Sequence, residues 1–211
     1  MSCFCFLVKG MVKSMGKICL GSENFDMKTK EKKKEIFTTG SMMQMALFAA
    51  LLCVSAYISI PLPLPGGGHL SVINFVVLLI AMLFPLEQSF FIVLIWMLLG
   101  ALGIPVYAAG SAGIGYILSP LGGYNIGFLL ISIFLPLLRK RKRSHFYTFF
   151  LAILGMLLID FIGMVWMKLL GGMSWKTAFL AGFLPFLPLD MVKAVVAAKL
   201  LPAFRRIQAE N

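Results

Sequence analysis

Six apolar stretches follow one another along the chain and set its organisation. They run at about 37–60, 70–84, 89–103, 124–138, 146–170 and 186–201. The first ends at the proline- and glycine-rich segment 61–68, which no helix can cross. A membrane-spanning helix needs about 20 residues, so the shorter stretches must tilt or borrow residues from flanking loops. The pattern predicts an all-α integral membrane protein with six transmembrane helices.

The composition indicates that lipid is the solvent of this chain. Of its 211 residues, 60% are apolar and 13% are charged, and the mean hydropathy is +0.96. A soluble domain has about half apolar and about a quarter charged residues, and a small one leaves much of its surface exposed. These values exclude a soluble enzyme, a disordered tail and a secreted disulfide scaffold. The four cysteines lack the spacing of zinc or disulfide frameworks, so no metal site is expected.

The distribution of charge predicts the orientation. The net charge is +11, and basic residues cluster at 28–34, 139–143 and 205–206, beside the apolar stretches. Segments rich in Lys and Arg remain on the cytoplasmic side. With six crossings, all three clusters and both termini face the cytoplasm. A nucleic-acid surface would need a folded basic face, and this pattern lacks one, so no nucleic-acid partner is expected.

The outward loops are then 61–69, 104–123 and 171–185, and they hold most of the glycine and proline of the apolar region. Irregular backbone at membrane depth persists only where it is buried in protein or lines a cavity. The glycine-rich outward loops therefore predict a lid or pocket that opens to the outside.

The expected organisation has three parts. Residues 1–36 form a cytoplasmic N-terminal extension, 37–204 a six-helix membrane domain, and 205–211 a cytoplasmic tail. Residues 1–27 read as a mobile extension or as the result of a start codon placed too far upstream, with Met27 a candidate for the true start.

The presence of each ionisable residue inside the apolar stretches needs an explanation, because a charge at the bilayer centre costs about 2.5–3.5 kcal/mol. Lys168 and Lys199 lie near helix ends, where they can extend to the interface. Asp190 and Lys193 share one helix face at a spacing of three residues. They form either an internal ion pair or, as the preferred interpretation, a polar ligand handle at the mouth of the outward pocket. Asp160 is interpreted as structural glue between helices in preference to a ligand contact.

A catalytic reading of Ser111 has little support. The segment 109–113, Ala-Gly-Ser-Ala-Gly, loosely resembles a nucleophile elbow, but such an elbow needs a strand-to-helix turn and a partner histidine. The histidines are His69 and His145, and His145 falls in a cytoplasmic connection. No nucleotide-binding motif is present, so ATP hydrolysis is not expected of this chain.

Three segments together resemble the signature of the biotin-specific substrate-binding subunits, of the BioY type, of energy-coupling-factor transporters. They are GIPVYAAGSAG at 103–113, SPLGGYNIG at 119–127 and FLPLDMVKA at 186–194. The resemblance covers about residues 38–202. It implies a subunit of the bacterial cell membrane that captures biotin from outside. It also implies a transmembrane coupling subunit and two cytoplasmic ATPases as partners, and neither enzymatic activity nor a cofactor.

The resemblance implies ligand contacts at Ser111, Asn125, Asp190 and Lys193. Relatives can carry asparagine at the position of Ser111 and arginine at that of Asn125, so affinity or selectivity can differ here. The ureido ring of biotin offers two N–H donors and a carbonyl, which suit Asp190 as acceptor and Ser111, Asn125 or Lys193 as donor. Lys193 could instead bind the valerate carboxylate.

Apolar walls are expected from the glycine-rich loop, where Tyr107 and Tyr116 suit the bicyclic ring and the chain of biotin. Ala46 and Ala50 on the first helix form a small-residue pair that lets another helix approach closely. The resemblance implies that such a pair docks the coupling subunit, while packing within the bundle is the alternative.

Other functions stay open at this point. A sister subunit could bind thiamine or riboflavin, but the outward loops carry no acid for a cationic ligand. An intramembrane hydrolase using Ser111, or a pure scaffold, are the remaining classes.

Overall fold

A computed structural model describes residues 39–61, 69–139 and 145–210. The chain divides into two compact units, Met1–Met43 and Gln44–Asn211. The first contributes only the start of one helix to the described residues, so the description below concerns the second. The basic cluster at 28–34, residues 140–143 of the second basic block, Ser144 and the glycine-rich segment 62–68 lie outside the described residues.

Helices make up most of the described chain, with one small hairpin between the first two long helices. The helices are α1 (Thr39–Ser55), α2 (Ile73–Leu83), α3 (Leu86–Ala101), α4 (Ile114–Ile117), α5 (Gly122–Leu138), α6 (His145–Leu170), α7 (Trp175–Gly182) and α8 (Leu187–Glu210). The hairpin pairs β1 (Ser59–Pro61) with β2 (His69–Ser71) in antiparallel register, Ile60 opposite Leu70. A 3₁₀ turn lies at Ala108–Gly110.

The centre of the fold is α2, in which all residues but Phe75 are buried. It packs against α3, α5, α6 and α8, and α5 and α6 form the most extensive helix pair. A helix that is apolar all round is one that other helices surround. Its C-terminal end is held by the Arg139 guanidinium, which donates to the carbonyls of Met82 and Leu83 at 2.7 Å each.

Small residues bring α5 and α6 into close contact. A Cβ at Gly123 would lie 2.1 Å from the side chain of Trp166, and a Cβ at Gly163 would lie 2.4 Å from the ring of Tyr124. Both glycines therefore leave room for an aromatic side chain of the opposite helix, as small residues do at membrane helix interfaces. This packing fixes the start of α5, which carries Tyr124 and Asn125.

The helices of the described residues fall into two groups by length. Residues Phe146–Leu170 are long and apolar enough to cross a membrane, and α7 with α8 up to Leu201 passes the same test as a pair bent by 44°. Four further apolar helices, α1, α2, α3 and α5, have 17 residues or fewer. Each of the six apolar stretches of the sequence thus contains most of a helix, while six complete spans remain a prediction.

Two of the predicted outward loops contain regular structure. The segment 171–185 includes α7, which begins after Ser174, whose side chain accepts from the Thr177 N–H. The segment 104–123 includes the 3₁₀ turn and α4. The short hairpin was also absent from the all-α prediction.

Candidate ligand-binding site

A cleft opens where β2, the start of α2, the 108–121 segment, the start of α5 and the break before α8 meet. It has about 430 Å³ of empty space, including its open mouth. Its polar lining residues are His69, Ser71, Asn74, Tyr116, Tyr124 and Asn125. Its apolar ones are Ile73, Ala108, Leu121, Phe128 and Phe186. Apolar walls with a few convergent polar groups, at this size, are typical of a small-molecule site.

Asn125 carries an unused hydrogen-bond donor in this cleft. Its side chain is 4% exposed, and Nδ2 has no hydrogen-bond partner among the described residues. A buried polar group without a partner costs about 1–3 kcal/mol. The cost would be removed by a ligand that supplies a carbonyl or carboxylate oxygen.

The two tyrosines of the glycine-rich loop have different roles. Tyr116 lines the cleft, and its ring stacks on that of Tyr107 with centroids 5.1 Å apart. Tyr107 is fully buried behind it, donates its hydroxyl to the Met97 carbonyl, and meets Trp96 edge-on at 5.4 Å. Burial raises the pKa of each tyrosine to about 12, so both hydroxyls stay protonated. Tyr116 therefore forms part of the cleft wall, and Tyr107 supports the Tyr116 ring from behind.

The turn before Ser111 is strained. Ala109 has a φ of +57° without being glycine, and its N–H donates to the Ala56 carbonyl at 3.1 Å. Ser111 follows with its N–H donating to the Ala108 carbonyl at 3.3 Å and its own carbonyl accepting from Tyr107 at 3.0 Å. Ala108 lines the cleft, but Ser111 is not among the lining residues.

Asp190 and Lys193 form an ion pair with 2.9 Å between Nζ and Oδ1. The Lys193 ammonium also donates to the Ser71 carbonyl at 2.9 Å, which ties α8 to β2. Ser71 lines the cleft, whereas Asp190 and Lys193 do not. An ammonium has three donors, so one remains after these two bonds. The internal ion pair of the sequence-based alternative is thus present, and it lies next to the cleft.

Asp160 of α6 interacts with Asp190 of α8, so its part as structural glue between helices stays a prediction. Its side chain is fully buried, and neither carboxylate oxygen has a hydrogen-bond partner in the described part of the chain. It lines a second, smaller cavity together with Asp190.

The sequence reasoning missed four polar residues of the cleft, His69, Ser71, Asn74 and Tyr124. Asn74 is 7% exposed at the start of the otherwise apolar α2, and that isolation was the available signal. The His69 ring atom Nδ1 is buried without a partner among the described residues. The positions of His69 and Ser71 became apparent only in the fold, where β2 lines the cleft together with the start of α5.

No group of three or more His, Cys, Asp or Glu side chains that could hold a metal ion occurs within residues 39–61, 69–139 and 145–210. The cleft's chemistry is therefore that of amides, hydroxyls, an imidazole and aromatic walls. Groups of these kinds can bind and orient a small molecule.

Ala46 and Ala50 lie apart from the cleft on α1. Both are exposed, although Phe48 and Leu52 of the same helix are buried. Docking of a partner at these two alanines stays a prediction, with packing inside the bundle as its alternative.

Comparison with known proteins identifies relatives of one kind. A sequence model described as the BioY family matches residues 27–210. "Biotin transporter BioY2" of Lactococcus lactis is 31% identical over 157 residues, which are 74% of this chain and 85% of the relative. "Probable biotin transporter BioY" of Pyrococcus horikoshii is 38% identical over 152 residues, 72% of this chain and 88% of the relative.

A solved structure extends the comparison to the fold. It is the crystal structure of the S-component for biotin from an ECF-type ABC transporter, with a TM-score of 0.73 and 20% identity. The match covers 81% of this chain and 95% of that chain. The helical fold is therefore that of an S-component, a membrane protein. Because the family model spans most of the sequence and the relatives agree over most of their length, this chain belongs to the BioY family.

Proposed function

We propose that this chain binds biotin in the cleft and serves as the substrate-binding subunit of a biotin uptake system. The observation that carries the proposal is the buried, unpartnered amide of Asn125 in the cleft of a BioY-family chain. Biotin offers the carbonyl and carboxylate oxygens that this donor lacks. The aromatic and apolar walls suit its ring and its chain.

Asp190 and Lys193 are the second part of the proposed site. Asp190 accepts from a ureido N–H, or the third donor of Lys193 binds a ligand oxygen; both are compatible with an ion pair that contacts Ser71 at the cleft. Ser111, with Tyr107 and Tyr116, belongs to the loop that covers the site. The assignment of Ser111 rests on its place in this loop, three residues after Ala108, which lines the cleft.

The BioY family is one of transporter S-components and not of enzymes. A hydrolase based on Ser111 is accordingly not favoured, and a thiamine or riboflavin subunit is not favoured either. The nucleotide-binding motifs are absent from the sequence. ATP-driven delivery thus requires a coupling subunit in the membrane and two cytoplasmic ATPases, which we propose as partners.

The proposed arrangement has six crossings of the bacterial cell membrane, with both termini in the cytoplasm. Basic clusters on one side of the apolar stretches support it. The four shorter helices then cross by tilting or by using neighbouring residues of their connections.

Calorimetry on the detergent-purified chain tests the function, with biotin, thiamine and riboflavin as ligands. We expect biotin alone to bind, and Asn125→Ala to weaken it about 5- to 150-fold, because losing one hydrogen bond to a buried group costs about 1–3 kcal/mol. Ser132→Ala is the matched control: it lies on α5 outside the cleft, and its hydroxyl donates to the Leu129 carbonyl of its own helix. Absence of biotin binding by the folded chain would refute the proposal.

A further inference from the structure

The second cavity lies between α6 and α8 and contains two carboxyl groups in apolar surroundings. It has about 180 Å³ of empty space and is lined by Asp160, Asp190 and side chains of leucine, isoleucine and methionine. Asp160 is fully buried and Asp190 is 2% exposed. Three of their four carboxyl oxygens, both of Asp160 and Oδ2 of Asp190, have no hydrogen-bond partner among the described residues.

The charges around this cavity do not balance if both acids are ionised. Asp160 interacts electrostatically with Asp190 and Lys193 of α8, and Tyr124 of α5 interacts electrostatically with both acids. The other elements packed against α6 are α2, which has no titratable residue, and α7, whose Lys176 is exposed. Two carboxylates therefore face a single ammonium, which leaves one surplus negative charge inside the protein.

A surplus charge of this kind is costly. Two neighbouring carboxylates in an apolar site cannot both ionise without strong repulsion, and burial disfavours the charged form of each. The ammonium of Lys193 stabilises one carboxylate, that of Asp190, at 2.9 Å. Asp160 has no such partner, so it is the group that gains from binding a proton.

We propose that Asp160 and Asp190 form a proton-binding site, in which one proton is bound to Asp160 and shared with Asp190. An O–H bond forms on Asp160 with a proton taken from a hydronium ion of the solvent, which leaves a water molecule, and nothing is oxidised or reduced. The cluster of Asp160, Asp190 and Lys193 is then neutral. The protonated acid also supplies the donor that the Asp190 oxygen lacks.

This proton gives Asp160 a positioning role. The protonated Asp160 donates to Asp190, and Asp190 forms the ion pair with Lys193. The Lys193 ammonium in turn donates to the Ser71 carbonyl at the cleft. The influence on the cleft rests on the proposed function, whereas the proton site itself does not. A readout of the proton that uses no biotin therefore separates the failure of one proposal from that of the other.

Infrared spectroscopy of the purified full chain in lipid provides this readout. A protonated carboxylic acid has a carbonyl stretch at higher frequency than a carboxylate, and the band shifts in heavy water. We expect the wild-type chain to show this band at neutral pH and Asp160→Asn to lose it. Glu87→Gln is the matched control, because it makes the same change at an exposed carboxyl group and should leave the band in place.

The proposal is overturned if the wild-type chain shows no such band at neutral pH, as when a sodium ion bridges two ionised carboxylates. It is also overturned if the band persists in Asp160→Asn. Should Asp160→Asn fail to fold, Asp160→Glu replaces it. The band must then remain but change in frequency, because the protonated group has become a glutamic acid, and an unchanged frequency contradicts the assignment.

Discussion

Gly100 on α3 lies directly against the ring of Tyr107. A Cβ there would be 2.2 Å from the ring, too close for any side chain. Because Tyr107 supports the stacked ring of Tyr116, this contact connects a helix glycine to the wall of the cleft. The absence of a side chain at Gly100 is thus a requirement of the site as well as of the packing.

The substitution Gly100→Ala tests this connection. Overpacking of this kind typically costs about 1–3 kcal/mol of unfolding free energy, and we expect biotin affinity to fall as Tyr116 shifts. Thermal unfolding and calorimetry measure the two effects. Gly115→Ala is the control in the same region, since a Cβ there meets nothing within 4 Å. Equal behaviour of the two variants would argue against the support role of Tyr107.

Asp190 and Lys193 allow a second prediction, because each can be changed with little change in size. Asp190→Asn removes the charge that strengthens its acceptor bonds, and losing a charged hydrogen bond costs about 1.5–3 kcal/mol. We expect at least tenfold weaker biotin binding, and weaker binding for Lys193→Met as well.

Lys199→Met, on the exposed side of the same helix, is the control for the lysine change. A double-mutant cycle on unfolding free energy should also give a coupling of about 0.5–3 kcal/mol between Asp190 and Lys193. If both single variants fold and bind biotin normally, the pair is only an internal salt bridge.

Single residues also mark the limit of what the sequence could predict. Asn125 and Tyr116 were placed at the site from their motif, and both line the cleft. Asn74 and Ser71 were not found, because their role depends on contacts across the fold. Asp160 was interpreted as glue since nothing in the sequence shows that it shares a cavity with Asp190, thirty residues away.

Whether a helix or strand could be predicted depended on the length of its sequence pattern. The apolar stretches predicted the helices, because a long apolar run gives a strong signal in lipid. The strands Ser59–Pro61 and His69–Ser71 have three residues each, too few for an alternating pattern to show. Pro61 in the first of them argued further against a strand. Yet this hairpin positions one side of the cleft.

The helix α1 offers a prediction about docking. Ala46 and Ala50 are one turn apart and exposed, so they leave a shallow surface on which a partner helix can approach closely. Replacing both by tryptophan should leave biotin binding by the isolated chain intact. Co-purification with the coupling subunit and biotin uptake should fall together.

Leu51→Trp is the control for this change, because it adds bulk at an exposed α1 position that already carries a large side chain. Normal assembly of the double variant would exclude docking at this face. Loss of biotin binding would instead mean that the two alanines matter for the bundle itself.

For the whole molecule, the resemblance found in three short segments is confirmed by a family match over residues 27–210. The family could be recognised because its motifs are local in sequence. The orientation in the membrane rests on a different property, the excess of Lys and Arg near the helix ends on one side. It is therefore open to an independent test.

Cysteine labelling on intact cells provides that test, in a background without the four native cysteines. The charge clusters put residues 139–145 in the cytoplasm and 104–123 outside. An impermeant thiol reagent should therefore label Ser111→Cys and not Ser144→Cys, whereas a permeant reagent should label both. Ser111 is half-buried, so Ile114→Cys, at a position 62% exposed, serves as a more accessible outer site. Labelling of Ser144→Cys by the impermeant reagent would require the opposite orientation or a different number of crossings. With the opposite orientation, the loop of Tyr107 and Tyr116 would face the cytoplasm. The assignment of the cleft to the outer side would then be wrong.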